Sequence, residues 1–393
     1  MNKSHKSLPF IACIAVALCM TGCLKDDEET LLLPTPRTIG NVPSDYSATT
    51  NPSIGSPNAI IPNYQFEEEA EEDGLFLYRL DMTGIMNPVT HEWIDLYGTG
   101  LSEQNVWLSL DSNPKGLLVK NHSEDGTVSR KFDLVFLVDN SGSMDDESDA
   151  LARDIISWAN NLTNSGIDIQ FGCVGYTGWE NQTYWLDGAI DLTDQNELSN
   201  YLNNGTGTER TRHFGGTNAV NLQNEAYNYI QYYYNAGWDI EECGMMALRF
   251  ADQHFTFRNG ANRIYVNFTD EPNQPCGVSE WSIGYLNPSL GYWTPQQGTV
   301  HTVFSGSTNF SNYLEKPWLM SEYTGGTVLY TNASFSGVSL NDLPVTGAMQ
   351  HSYSLYFTVP ESLKDGHYHS LKVTVYSQDH SVRAERNFSI RFE

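Results

Sequence analysis

The sequence predicts an α/β domain, with a mainly parallel sheet between helices, inserted into a β-sandwich that the two flanking segments build together. Helical and strand-like stretches alternate over residues 132–349, and alternation on this scale is typical of a parallel sheet covered by helices on both faces. Residues 74–131 and 350–393 have the pattern of strands and turns. Each flank is short for a sandwich of its own, whereas together they make about 100 residues, the size of one ordinary sandwich.

The first residues have the pattern of a bacterial lipoprotein signal. A basic start precedes an apolar run over residues 8–20, which is too short to span a bilayer and suits a signal peptide. The Met-Thr-Gly-Cys that ends at Cys23 resembles a lipobox, in which the cysteine is lipidated and becomes the mature N-terminus. We therefore expect a signal peptide over residues 1–22 and a membrane anchor through the lipid on Cys23.

Residues 23–73 are predicted to be an acidic, flexible tether. The acidic run at 25–29 resembles the tag that sends some Gram-negative lipoproteins to the outer face of the cell, and it is equally a solvated linker. The composition then shifts to Pro, Ser, Thr and Asn, and ends in the acid run 67–73. The expected location is the outer membrane, lipid-anchored and exposed on the cell surface. A net charge of -27 argues against nucleic acid and anionic membrane surfaces as partners.

Each element of the central domain has its own signal. Apolar residues at helical spacing, from Leu151 to Leu162, predict a helix that ends at the Asn-Ser-Gly of residues 164–166. Strands are predicted at 167–176, 188–192, 263–269 and 299–304, and helices from Asp194, over 219–235 and over 241–254. The tyrosines of the 219–235 helix are expected to pack against the sheet.

The clearest candidate site follows the first central strand. The apolar run 134–138 predicts a strand buried on both faces, and Asp139, Ser141 and Ser143 lie in the turn after it. In open α/β sheets, ligands bind at the carboxyl ends of the strands. One carboxylate and two hydroxyls suit a hard divalent cation, which takes oxygen ligands. A turn with an N-cap favours the same residues without a metal, so this pattern alone does not distinguish a metal site from a helix cap.

Two further segments carry a family resemblance. Asp270 ends the strand-like IYVNFTD, and Gly215-Gly216-Thr217-Asn218 is a loop that holds a threonine. Together with the Asp-x-Ser-x-Ser motif, they make residues 132–349 resemble a von Willebrand factor A domain, and within that class the I-like domain of integrin β subunits. The resemblance implies a Rossmann-like fold and a metal-ion-dependent adhesion site with Mg²⁺ as cofactor, or Mn²⁺ or Ca²⁺ in its place.

The segment WDIEECGMMAL resembles the Asp-x-Pro-Glu-Gly-Gly segment of the integrin family, and this implies Asp239 and Glu242 as further metal ligands. Glu241 and Cys243 replace the proline and the first glycine, which puts the conformation of the loop in question. Integrin domains complete the site with the glutamate and other members with the threonine. Whether Thr217 or Glu242 does so here stays open.

A second, adjacent cation is also implied by the resemblance, because Asp146 and Glu147 fall where the integrin family holds one. Acids in a first helical turn are stabilising by themselves as well. The implied ligands of the first metal are Asp139, Ser141, Ser143, Thr217, Glu242 and Asp270, and those of the second are Asp146, Glu147 and Asp239.

The resemblance implies a binding mechanism. A cation that keeps one water can exchange it for a carboxylate of a partner, and the surrounding rim then supplies affinity. The expected rim is aromatic and comprises Trp179, Tyr184 and Trp185 after the second strand, with Trp281, Tyr292 and Trp293 in the long loop after Asp270. Exposed aromatic residues are typical interface anchors and also stack on sugar rings, so the expected partner is an extracellular protein carboxylate or a glycan.

An enzyme is not expected, because no Gly-x-Ser-x-Gly elbow, Walker loop or pair of catalytic carboxylates stands out. The alternative function is a structural or assembly subunit, such as a fimbrial tip, in which the metal mainly stabilises the domain. Cys173 falls in a strand-like run and is expected to be buried and inert. Cys243 and Cys276 lie near the expected metal edge as candidates for a disulfide, and whether they pair stays open.

Overall fold

The computed structural model describes residues 39–121, 131–165, 167–177, 186–234, 242–275, 277–309, 314–332 and 344–393. The described strands form a six-stranded, mostly parallel sheet flanked by helices, and two four-stranded antiparallel sheets. In these ranges, no helix combines the length and the apolar content needed to cross a membrane.

The first flank contributes five strands, which are β1 (Tyr64–Glu72), β2 (Leu75–Met82), β3 (Val106–Leu110), β4 (Asn113–Pro114) and β5 (Leu118–Asn121). Alternation along β2 places Tyr78, Leu80 and Met82 in an apolar core, as expected for a strand with one face inward. The long strand β1 pairs antiparallel with β2 and forms the edge of its sheet.

The central region alternates strands and helices, which are β6 (Lys131–Asp139), α1 (Asp145–Asn164), β7 (Asp168–Tyr176), β8 (Leu186–Thr193), α2 (Gln195–Leu202), α3 (Ala219–Tyr234), α4 (Gly244–His254), β9 (Asn262–Thr269), β10 (Thr299–Phe304), α5 (Leu319–Thr324), β11 (Val328–Tyr330) and α6 (Pro344–Gln350). The sheet order is β11-β10-β9-β6-β7-β8, and only β8 runs antiparallel to its neighbour. Alternate residues of β6 face two separate cores, with Leu137 on one side and Phe136 on the other. The strand that precedes the candidate site is thus buried on both faces.

The second flank adds β12 (Tyr353–Pro360), β13 (His369–Tyr376) and β14 (Arg383–Ile390). β12 lies between β2 and β5, and β13 lies between β3 and β14. Strands of both flanks therefore lie side by side in both antiparallel sheets. Their inner faces share one apolar core, which includes Leu80, Leu108, Phe357 and Val373.

The tether prediction is wrong for residues 39–73, which are packed on the sandwich and end in β1. The acid run is stable as a strand because Arg79 on β2 forms ion pairs with Glu67, Glu69 and Asp81. Lys364 from the second flank pairs with Glu68 at 2.8 Å. Composition alone indicated a solvated segment, since the cations that neutralise these acids lie elsewhere in the chain. The prediction for residues 23–38 lies outside the described residues.

Residues 43–62, called the strap below, cross one antiparallel sheet before β1 begins. Its polar contacts follow the strand order β4-β3-β13-β14, with Asp45 bound to Lys115, Thr49 to Trp107, Asn51 to Thr374 and Asn58 to Arg383. The strap ends against the α/β unit, where the amide of Asn63 donates to the carbonyl of Thr324 at 3.1 Å. Side-chain and backbone hydrogen bonds thus order a segment that has no secondary-structure pattern of its own.

Candidate functional site

Asp139 is the last residue of β6, and both of its carboxylate oxygens have protein donors. Oδ1 accepts from the backbone amide of Ser141 at 3.0 Å, and Oδ2 accepts from the hydroxyl of Thr269 at 2.8 Å. The side chain is fully buried. Two donors on a buried carboxylate fix the direction in which its remaining lone pairs point.

The hydroxyls of the motif form a chain between two acids. Ser141 Oγ lies 2.9 Å from Ser143 Oγ, and Ser143 Oγ donates to Oδ1 of Asp270 at 3.0 Å. The serine that precedes the helical turn at 142–144 makes no side-chain capping bond there. The hydroxyls are therefore not used as helix caps, and the structure brings together four of the predicted ligands, Asp139, Ser141, Ser143 and Asp270.

Glu242 joins this group and Thr217 does not. Glu242 lies two residues before α4, and a hydrogen bond with the side chain of Ser141 stabilises its charged form. It borders one small cavity together with Thr269 and Glu271. Thr217 is exposed just before α3, and in the described part of the chain no hydrogen bond joins it to the motif.

The acids at this edge raise one another's pKa. Burial raises the pKa of Asp139, and the charge of Asp270 raises it further. Burial also raises the pKa of Glu242, together with the charges of Asp139, Glu271 and Asp270. Burial and Asp270 raise the pKa of Glu271. Among the ion pairs between described residues, none links these four carboxylates to a lysine or arginine. Within the described ranges, the cluster is therefore a negative site without a cationic side chain to neutralise it.

In the described ranges, no group of three or more His, Cys, Asp or Glu side chains is placed to hold a metal ion. The group at the end of β6 instead combines carboxylates with hydroxyls. Oxygen donors of both kinds suit Mg²⁺, which also keeps several waters. The residues present thus fit a hard divalent cation through their chemistry.

Asn140 fixes the turn that follows β6, and the sequence analysis did not single it out. Its amide donates to the carbonyl of Tyr176 at 2.8 Å, and its side chain donates to Asp187 at 3.0 Å and to Thr211 at 3.2 Å. Arg212 donates to its carbonyl at 2.5 Å. Burial raises the pKa of Asp187 to about 7. These partners are distant in the chain, so no local pattern signals them.

Glu147 was predicted to hold a second cation, and the structure places it in a buried contact. Its carboxylate accepts a 2.9 Å hydrogen bond from the hydroxyl of Ser305. The adjacent Gly306 packs on the carbonyl of Asp270, where a Cβ atom would come within 1.8 Å of the oxygen. Asp239 and the side chain of Asp146 lie outside the described residues. The second cation stays a prediction.

Two predicted rim residues belong to the core, and this corrects the sequence analysis. Trp281 has no exposed surface, and its indole N–H donates to the hydroxyl of Tyr229 at 2.7 Å. Trp293 is 5% exposed, and its indole donates to the carbonyl of Gly298 at 3.0 Å. An indole with a buried partner for its N–H packs as a core residue.

The position of Trp293 follows from the topology. A connection between parallel strands must return from the carboxyl edge of the sheet to the amino edge. Gly298 directly precedes β10 and packs against the backbone of Arg263, near the start of β9. Trp293 therefore lies towards the edge opposite Asp270. The neighbouring Tyr292 is 59% exposed and stacks on Tyr285.

The remaining rim predictions lie outside the described residues; they are Trp179, Tyr184 and Trp185.

Two of the cysteines, Cys23 and Cys276, also lie outside the described residues. Cys243 is buried, and its thiol donates to Oδ1 of Asn273 at 3.2 Å. The disulfide therefore stays a prediction. Cys173 is buried in β7 as expected, and burial raises the pKa of its thiol.

No family model matches the chain, and no curated protein matches it. Two crystal structures of the pilus adhesin SpaC from Lactobacillus rhamnosus GG, one of them in an open conformation, are similar to it with a TM-score of 0.35 and 11% sequence identity. The similarity covers 88% of this chain and 50% of that chain, so this chain spans about half the length of the adhesin. Similarity at this level assigns neither a fold family nor a function.

Proposed function

We propose that the chain is a surface lipoprotein that binds a partner's carboxylate through a divalent cation. The cation ligands in this proposal are Asp139, Ser141, Ser143 and Asp270, with Glu242 beside them. The observation that carries the proposal is the hydrogen-bonded chain from Asp139 through Ser141 and Ser143 to Asp270, at the carboxyl end of two neighbouring strands. It lies inside a cluster of acids that forms no ion pair with a lysine or arginine of the described ranges. Mutual repulsion among those acids is relieved when a cation binds.

The burial of the ligands suits this role. Asp139 and Ser141 are buried, whereas Ser143 is exposed and Asp270 partly so. One side of the site is thus closed by protein and the other is open to solvent. A cation held there would supply a Lewis acid to which a carboxylate of a partner could bind. The chain's own residues would hold the cation and neutralise its charge.

The fold in this proposal is a von Willebrand factor A domain inserted into the sandwich. The Asp-x-Ser-x-Ser motif, the aspartate that follows β9 and Glu242 before α4 support it, because all three meet at one edge of the sheet. The location in this proposal is the outer membrane, with the lipid on Cys23 as anchor. The lipobox supports this part from the sequence alone.

The metal site is tested by isothermal titration of Mg²⁺ and Mn²⁺ into the purified soluble chain. Asp139→Asn keeps the shape of the side chain and removes its charge, so we expect the binding heat to be lost while the fold persists. Glu361→Gln, an exposed acid of the sandwich, is the matched control and should bind as the natural chain does. Equal binding by the natural chain and Asp139→Asn would exclude this site.

A pull-down against panels of matrix proteins and polysaccharides, with and without EDTA, distinguishes an adhesion module from a structural subunit. A binding module retains a partner only with the metal, and Asp139→Asn retains none. If the natural chain binds Mn²⁺ and no partner, and loses thermal stability in EDTA, the metal is mainly stabilising. The rim is tested in the same assay with Trp179→Ala, which should weaken partner binding and leave metal affinity unchanged.

A further inference from the structure

We infer that Thr269 is a positioning residue of the metal site, whose hydroxyl holds the carboxylate of Asp139 in the orientation that receives a cation. This inference rests on the proposed function and adds a residue outside the ligand set. Thr269 is the last residue of β9 and directly precedes Asp270. Thr269 is therefore linked to Asp270 by a peptide bond and to Asp139 by a hydrogen bond from its side chain.

The strand register places the two side chains together. β6 and β9 are neighbouring parallel strands, and Val138 lies opposite Phe268. The next residue on each strand is Asp139 on β6 and Thr269 on β9. Both are buried, so the 2.8 Å bond between them is shielded from water. A hydrogen bond to a charged, buried carboxylate is stronger than one between neutral groups.

The geometry favours one acceptor for the hydroxyl proton of Thr269. A threonine hydroxyl donates one hydrogen bond and accepts others. Its oxygen lies 2.8 Å from Oδ2 of Asp139 and 3.3 Å from the carbonyl of Glu271, so the proton is assigned to the carboxylate. The same oxygen accepts the backbone amide of Glu271 at 3.1 Å. The side chain thus ties Asp139 to the turn that carries Asp270.

The second carboxylate oxygen completes the argument. Oδ1 of Asp139 already accepts from the amide of Ser141. With one donor on each oxygen, the carboxylate is held at both oxygens, and each oxygen keeps a lone pair that is able to bind a cation. Without the threonine hydroxyl, only Oδ1 of Asp139 keeps a donor, and the carboxylate is able to rotate. Groups that orient metal ligands in this way typically contribute about 10- to 100-fold to metal affinity.

The test compares three variants by titration with Mn²⁺. Thr269→Val has the same shape without the hydroxyl, and we expect its affinity to fall by about 10- to 100-fold. Thr269→Ser keeps the hydroxyl and loses a methyl, and we expect it to recover most of the affinity of the natural chain. Thr324→Val is the matched control, because Thr324 is also buried and its hydroxyl bonds to the carbonyl of Met320. It should bind Mn²⁺ unchanged.

Thermal unfolding in EDTA separates a loss of positioning from a loss of folding. If Thr269→Val loses affinity while its thermal stability equals that of Thr324→Val, the lost affinity is not an unfolding effect. Thr269→Ala takes the place of the valine variant if the latter does not fold. Unchanged affinity without the hydroxyl overturns the inference while the metal site stands. A serine variant as weak as the valine variant also overturns it, because the methyl then matters instead. A natural chain that binds no Mn²⁺ overturns the inference together with the proposed function.

Discussion

The hydroxyl of Ser143 donates a 3.0 Å hydrogen bond to Asp270, although 127 positions separate the two residues in the chain. The bond joins the turn after β6 to the end of the neighbouring strand β9. It is one of the contacts through which two sequence motifs become one site. Ser143 is also the exposed member of the hydroxyl chain, so the bond lies on the solvent side of the site.

Asp270→Asn should lower the affinity for Mn²⁺ by at least about tenfold. The amide oxygen still accepts from Ser143, so the loss reflects the missing negative charge on a ligand. The measurement is a calorimetric titration at low and physiological salt. Glu271→Gln is the control, since it removes a neighbouring charge without removing a predicted ligand. Equal losses in the two variants would mean that the site attracts cations by its field alone.

Trp281→Ala and Trp293→Ala should each destabilise the protein by about 3–5 kcal/mol, because each removes a buried indole and leaves a cavity. Urea denaturation followed by circular dichroism measures the loss. Tyr292→Ala, at the exposed end of its aromatic stack, should cost less than about 1.5 kcal/mol. Full stability of Trp281→Ala would return that residue to the ligand rim.

His369 should make the sandwich less stable at high pH. Burial lowers the pKa of His369, but its hydrogen bonds with Asp111 and Asp365 and their charges outweigh this, and the net pKa is raised. Because folding raises this pKa, the stabilisation is complete below the unfolded value of about 6.5. It disappears as the pH rises through the folded value.

The measurement is the free energy of unfolding of the natural chain and His369→Gln between pH 5 and pH 9. The difference between them should be largest at the acid end and shrink towards the alkaline end. His367→Gln, at a side chain that is 82% exposed, serves as the control. A difference that grows with pH would contradict the assigned ion pairs.

Asn58→Ala should loosen the strap at its far end. The variant loses the 2.7 Å bond from the amide of Arg383 and the 2.8 Å bond to the carbonyl of Ser381, with an expected cost of about 1–3 kcal/mol. Limited proteolysis should cut within residues 49–57 faster than in the natural chain. Ser53→Ala, an exposed position of the strap, should not change the cleavage rate.

Cys23→Ser should move the protein from the membrane fraction to the soluble fraction, because the lipid on Cys23 is the predicted anchor. Cell fractionation followed by immunoblotting measures the distribution. A second substitution at Cys173, which is buried in β7, controls for general effects of removing a thiol. Continued membrane association of Cys23→Ser would show that another part of the chain holds it there.

Periodicity predicted the central elements well, because each depends on residues close in sequence. The strand 299–304 has the bounds observed for β10, and the helix that contains Trp158 corresponds to α1. The motif also indicated which oxygens meet, since strand ends share an edge. The roles of Thr269 and Asn140 were missed, because each depends on a partner from another strand or loop that only the fold supplies.

The rim prediction failed where it relied on residue type without topology. An aromatic residue in a long loop resembles an interface anchor, yet the loop from β9 to β10 packs on the core at both Trp281 and Trp293. Topology, applied to the sequence, places Trp293 next to the start of the following strand. The strap was missed for a different reason, because its order comes from polar contacts to distant parts of the chain and not from a repeating pattern.

The strap also sets how the molecule responds to pulling. In a chain held at Cys23, tension that reaches the strap meets the bond between Asp45 and Lys115 first, then the contacts at Thr49, Asn51 and Asn58 in turn. Contacts in series break one at a time, each at a small force. The 20 residues of the strap hold up to about 70 Å of extended chain. We therefore expect a chain held at Cys23 to lengthen as the strap detaches from its sheet.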